Sequence, residues 1–453
     1  MHATSASPVI VEPGGEGVVA HVGLHALGAF ADRLGLTAAL SAAVPAPVGG
    51  HDRGKVLVQA MLMLAGGGVC CADIEHLRTQ PALFGSVASD STLYRTIRSL
   101  DGASRDAIGE AMAAVRAKVW EATGLSGGDD PVVLDLDASL IQIHSEHKQG
   151  AAPTYKRGFG FAPMFCFADA TGEALGVYLR PGNAVDHAVD DQMVVIDMAI
   201  AQLPETIAAG HRLGDVSDLP ARSVIVRADS AAGYPGTAAA LRARNIGFSV
   251  VARKNPRVHA AIMAAIAEPW RWRPALTQTG EVRDRAEVAE LTDLIDLSGW
   301  PSGTRFILRR EPLHPGAQTS LFPDLEFRYW GHYTDGDLSP VDADVFIRAH
   351  AHVEDNIRRL KDSGLERFPF ADLGANRAWL DVVCAAADLV RWFQLRCLTG
   401  HLAVAEPKTL RFTLWSTPAR TVRRARRQIV RILGRWPTAD ALLGAYARIA
   451  TLA

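Results

Sequence analysis

The chain has 453 residues, of which 48% are hydrophobic and 21% charged, a composition that excludes disordered and fibrous classes and leaves material for roughly two to four domains. Its formal charge of -2 gives no global sign of a nucleic-acid partner, yet the average hides an asymmetry. Residues 411–453 hold nine arginines, no lysine and one acid, Asp440, so this end is +8 and the remainder -10.

Cys70, Cys71, Cys166, Cys384 and Cys397 show neither an even disulfide framework nor the CxxC spacing of a zinc site, which points to buried thiols in a reducing cytoplasm. The opening MHATSASPVIVEPGGEG lacks a basic stretch before an apolar core, so no secretory leader is expected. VLVQAMLMLAGGGV is too short and too glycine-broken to span a bilayer, so no membrane partner is expected either.

In chain order, residues 1–125 read as helical. A continuous apolar helix is expected over 55–65 and a shorter one in CADIEHLRTQPAL. In SDSTLYRTIRSL, Ser89 or Ser91 is a candidate N-cap, and Leu93, Ile97 and Leu100 make one apolar stripe. Arg95 and Arg98 fall off that stripe, as in the reading helix of a helix-turn-helix; an ordinary amphipathic helix of a bundle would show the same pattern.

LSGGDD reads as a linker into an α/β region over 126–254. Strands are expected at PVVLDLDA, APMFCFADA and EALGVYLRPGN, then a helix through DDQMVVIDMAIAQL, the strand SVIVRADS, a helix over 237–244 and the strand GFSVVAR. A three-strand meander followed by helix and strand alternation implies a mixed sheet. Residues 255–335 change texture: EVAELT, TRFILRREPL and LEFRYWGHYT suggest a β-rich insertion. Helical patterns return over 336–405, and 406–453 reads as a basic helical end.

Three acids sit where a purely structural role is awkward. Asp135 and Asp137 share one face of an otherwise apolar strand, with Asp137 at its C-terminal end. Asp229 ends a second apolar strand, and ligands of open α/β sheets bind beyond the carboxyl ends of strands. Glu354 comes from the helix HVEDNIRRLKDSG, where Glu354, Arg358 and Lys361 recur beside the buried stripe Val353, Ile357 and Leu360. Hard oxygen donors of this kind suit Mg²⁺, and two such ions can activate a nucleophile and stabilise the leaving oxygen of a phosphodiester. Singly, each acid fits a turn cap or a helix ion pair equally well.

VVLDLDASLIQIHSEHKQGAAPTYKRGFGFAP, followed by LRPGNAVDH, RADSAAGY and HVEDNIRRLKDSGL, resembles the DDE transposases of bacterial insertion sequences from about Gly54 to near the C-terminus. The resemblance implies a ribonuclease-H-like catalytic fold with a helical DNA-binding N-terminal region. It also implies Mg²⁺ chemistry, with Mn²⁺ as a substitute, on Asp137, Asp229 and Glu354, with Lys361 completing an E-x₆-K pattern. Cut-and-paste transposition of this kind acts on terminal inverted repeats and target DNA, through a homodimer on DNA, at the nucleoid in the cytoplasm. The sequence departs from the family in having Ser139 where Thr is frequent, and His350 and Ile347 where a related signature has Arg and Tyr. Arg348 is the nearby substitute for that Arg, and Asp135 competes with Asp137 for the first acid.

The β-rich insertion of related transposases contacts DNA, which gives Trp270, Trp272, Trp300 and Trp330 a possible use as base-stacking platforms, beside the ordinary use of Trp in a core. Lys148, Lys156 and Arg157 flank the glycine-rich stretch leaving the first strand and are expected on the phosphate backbone, as are Arg348 and Arg358. Arg180, Asn183, Asp186 and His187 form a polar cluster that would support the first acid. Arg420, Arg423, Arg424, Arg427 and Arg431 follow a helical spacing and are expected on one DNA-binding helix face. Two other readings share these features: a DNA-binding protein derived from a transposase without catalysis, and a metal-dependent nuclease that cuts without joining.

Overall fold

The runs of β-branched and aromatic residues that read as strands do form strands, and they join into one sheet. The computed structural model describes residues 14–125, 130–185, 187–216, 223–313, 327–425 and 427–452. Nine strands make the sheet: β1 Val132–Ala138, β2 Met164–Ala168, β3 Ala174–Tyr178, β4 Val224–Ala228, β5 Gly247–Val251, β6 Arg273–Leu276, β7 Val282–Glu290, β8 Arg305–Pro312 and β9 Phe327–Thr334. Their spatial order is β6-β7-β8-β9-β5-β4-β1-β2-β3.

Within it, β3-β2-β1-β4-β5 is the ribonuclease-H-like core. β1 to β3 run as an antiparallel meander, and β4 and β5 lie parallel to β1. The insertion strands extend this sheet, because β9 pairs antiparallel with β5 through His332 with Val251 and Tyr333 with Val250.

Period-2 alternation gives the sheet two apolar faces. Leu134, Leu136 and Cys166 pack with Val195, Ile196 and Phe248, under the helix Val189–Ala201. Phe165, Phe167 and Val177 pack on the opposite side with the long helix Leu373–Cys397. Asp135 lies opposite Phe167 and Asp137 opposite Phe165, so both acids point to this second side.

The helices of the first 125 residues share a hydrophobic core with the helices Leu373–Cys397 and Ala439–Thr451. Ser89, not Ser91, caps the helix Asp90–Arg98 by accepting from the Thr92 amide at 3.2 Å. Leu93 and Ile97 are buried, and Arg98 is ion-paired with Asp372 at 3.1 Å. The five cysteines are free thiols, four of them buried.

The arginine-rich end differs from the expected helix. Residues Ala419–Arg424 (β10) and Arg427–Ile432 (β11) form an antiparallel hairpin, and Val18–Val19 adds a short strand to its outer edge. Thr421, Val422, Ile429, Val430 and Ile432 favour strands, and Ala425 takes a φ of 49° at the turn. A helix would also have stacked the five arginines at i, i+3 and i+4 spacing, where like charges repel. The LSGGDD linker lies mostly outside the described residues.

Candidate active site

The register of two parallel strands sets the first two acids side by side. Asp135 pairs with Arg227 and Leu136 with Ala228, so the next residues on this register, Asp137 and Asp229, stand level at the C-terminal ends of β1 and β4. Both line a cavity of about 220 Å³ together with Tyr155, Met164 and Gln192. Asp229 is exposed and accepts from the Ala231 amide at 2.8 Å, while Asp137 is half-buried and accepts from the Ala138 amide at 2.7 Å. Glu354 lies in the first turn of the helix His352–Leu360, whose Val353, Ile357 and Leu360 are buried.

Asp137 feels the other two acids. Burial, reinforced by the charges of Asp229 and Glu354, pushes the Asp137 carboxyl up to about 6, against the pull of the Ala138 amide and His350. Among the described residues no three His, Cys, Asp or Glu side chains stand close enough together to hold a metal ion by themselves. Two neighbouring carboxylates with a third nearby nevertheless fit Mg²⁺, which takes one or two carboxylates and completes its shell with water and substrate phosphate.

Asp135 has a different place from Asp137. It is fully buried and bound by Arg227, Nε to Oδ1 at 2.9 Å and Nη2 to Oδ2 at 2.7 Å, and His350 Nδ1 lies 2.9 Å from Oδ1. Arg227 also contacts Asp169 at 2.7 Å and donates to the Phe346 carbonyl at 3.0 Å, while His352 reaches Asp169 at 3.3 Å. Asp135 and Arg227 each lie two residues before a candidate acid, and His350 and His352 lie four and two before Glu354. The network therefore ties together the three elements that carry the acids. Period-2 parity could have found Arg227 from the sequence; nothing in the sequence marked Tyr155, Gln192 or Asp169.

The basic residues divide. Lys156 and Arg157 are exposed on a turn closed by the Thr154 amide donating to Gly158 at 2.9 Å, and Tyr155, 79% exposed, overhangs the cavity beside them. Lys148 is tethered to the Phe368 carbonyl, and desolvation lowers its pKa. Arg348, expected on DNA and in place of the missing Arg, is held by Asp344 at 2.9 Å and by the Leu276 carbonyl, because its helix packs against the insertion. Arg358, also expected on DNA, pairs with Asp355 at 3.0 Å and Glu406 at 3.2 Å. Lys361 is half-buried where the chain kinks towards Gly364.

Arg180 is buried, donating to the Ala162 carbonyl at 3.0 Å, and His187 packs on Tyr234; Asp186 lies outside the described residues. Of the four tryptophans, Trp272 is buried and donates to the Ala265 carbonyl at 3.1 Å, and Trp300 packs 3.9 Å from Tyr333. Trp270 and Trp330 reach the surface, under Arg271 and Arg309 respectively.

A family model described as transposase DDE domain group 1 matches residues 1–453. The chain belongs to the DDE transposase family. DDE transposases act on DNA and generally use divalent metal ions, so the paired acids have a family in which such chemistry is at home. No curated protein matches the chain. Among solved structures it is similar to a piggyBac transposase in a synaptic complex with hairpin DNA, at 10% identity over 87% of this chain and 78% of that one, with a TM-score of 0.41. In this transposase no helix among the described residues is long and apolar enough to cross a membrane.

Proposed function

We propose that this protein is a cut-and-paste transposase of a bacterial insertion sequence, with Asp137, Asp229 and Glu354 as its catalytic acids and Mg²⁺, or Mn²⁺ in its place, as the cofactor. The observation that carries the reading is the meeting of Asp137 and Asp229 in one cavity at the ends of adjacent parallel strands, with Glu354 close enough to raise the Asp137 carboxyl. When bound, the cation lowers the pKa of an attacking hydroxyl and stabilises the leaving oxygen. Asp137 and Asp229 would hold it from two strands, and Glu354 from the helix. Lys156 and Arg157 hold the backbone of the DNA at the cavity mouth, and Lys361, two helical turns beyond Glu354, adds positive charge on that side. The substrates are the terminal inverted repeats and then target DNA, held by a homodimer at the cytoplasmic nucleoid.

The test is excision from a plasmid carrying the element's ends. Cleavage stops with a chelator and returns with Mg²⁺, and Asp229→Ala and Glu354→Ala each lower it by about two orders of magnitude or more while DNA binding persists. Cleavage surviving both substitutions would overturn the assignment of the acids. Cut ends that never join target DNA would make the protein a nuclease instead.

A further inference from the structure

The hairpin β10–β11 carries a surface that the cleavage chemistry does not use. Cross-strand partners share a face and successive residues alternate. Arg420 with Arg431, Val422 with Ile429, and Arg424 with Arg427 therefore make one face. Ala419, Val430 and Ile432 belong to the other, which packs on the helical core. The first face is open: all four arginines are exposed, and Ile429 is 37% exposed.

This arrangement is unfavourable for the protein alone, since two like-charged pairs stand directly opposite each other. Some exposed arginines of this protein are neutralised by acids, as Arg212 is by Glu205 and Arg358 by Glu406. Among the described residues none of the four hairpin arginines has an acid partner. A face that concentrates unneutralised guanidinium groups around a small apolar centre is complementary to a polyanion.

Its dimensions select the polyanion. Four residues along a strand span about 13 Å, so the two arginine pairs are separated by close to the ~12 Å width of the DNA major groove, which admits a two-stranded ribbon. We infer that this face is a β-ribbon that docks in the major groove of duplex DNA. The pair Arg420 and Arg431 reaches one phosphate wall and the pair Arg424 and Arg427 the other, while Val422 and Ile429 face the base edges between them. The inference rests on the transposase reading for its occupant. An anionic lipid surface offers the same charge, but the face itself holds no aromatic anchor.

The experiment measures binding of the full chain to a fluorescently labelled duplex by anisotropy across a range of salt, in chelator, so that no cleavage is needed. Replacing Arg420, Arg424, Arg427 and Arg431 together by Gln should weaken binding by about tenfold or more and lower the salt slope by about 3.6, at about 0.9 per phosphate. Arg423→Gln, on the other face, should change affinity by less than about twofold, since its charge is off the groove. The melting temperature of the quadruple variant should hold or rise, because the opposed charges are gone. Wild-type affinity and slope in the quadruple variant would overturn the proposal, as would an Arg423→Gln effect equal to that of Arg420→Gln. So would loss of binding to phosphatidylserine vesicles with duplex binding intact. If the hairpin variant binds normally while Asp229→Ala still abolishes cleavage, the hairpin assignment fails and the transposase reading stands. If the wild-type chain binds no duplex at all, that reading fails.

Discussion

Arg227 is the residue on which the placement of the acids converges, because its guanidinium holds Asp135, Asp169 and the Phe346 carbonyl at once. Buried among them, it would be left with only the partly exposed Asp169 to balance its charge if Asp135 were neutralised. Breaking such a pair costs about 3–5 kcal/mol, and Asp169 remaining at hand puts Asp135→Asn near the lower end, about 3 kcal/mol. Asp137→Asn acts in the opposite sense. It removes a carboxylate that burial and the charges of Asp229 and Glu354 already disfavour, so stability should hold or rise while cleavage is lost. Thermal melts and cleavage assays on the two variants read these outcomes side by side. An Asp135→Asn protein that melts like wild type yet cannot cleave DNA would return Asp135 to the first position. The sequence placed both acids on one face but could not divide their roles, since that depends on Arg227 and His350 arriving from other parts of the chain.

At the scale of elements, the strand ends that hold the acids were legible because apolar runs stop at Asp137 and Asp229, and period 2 fixes their faces. The insertion was legible as β-rich but not as part of the same sheet, because the pairing of β9 with β5 joins distant segments without a local signal. The hairpin β10–β11 hides behind an ambiguous spacing: the same arginine positions satisfy a helix face, and only the β-branched residues between them favour strands. Close approach was equally invisible. Gly176 on β3 lies so near the helix Val189–Ala201 that a Cβ there would meet the Val195 carbonyl oxygen at 2.3 Å. Gly176→Ala should therefore force helix and sheet apart and cost about 1–3 kcal/mol, the range for overpacking. A chemical-denaturation midpoint equal to that of the wild type would mean the helix yields without penalty.

Across the whole molecule, the N-terminal helices and the catalytic sheet are joined by a buried polar knot. Arg116, from the helix Gly102–Thr123, donates to Glu173 at 2.8 Å and to Asp388 at 2.7 Å. Trp120 and Trp392 donate their indole N–H to the same Glu173 at 2.7 and 2.6 Å. Asp388 in turn accepts from the Ala174 amide at 2.9 Å, and burial pushes its carboxyl up to about 7. With the shared hydrophobic core around the helix Leu373–Cys397, this knot predicts that the helices within residues 14–125 fold as one unit with the sheet. Glu173→Ala would leave Arg116 with Asp388 as its carboxylate partner and two buried indole donors with none, a loss of about 2–6 kcal/mol at about 1–3 for each donor left unmade. If one unit is correct, the variant still unfolds in a single transition, shifted to lower denaturant, with tryptophan fluorescence and far-ultraviolet circular dichroism coinciding. An N-terminal part that unfolded first, leaving the remaining circular dichroism intact to a second midpoint, would show that the helices within residues 14–125 stand alone.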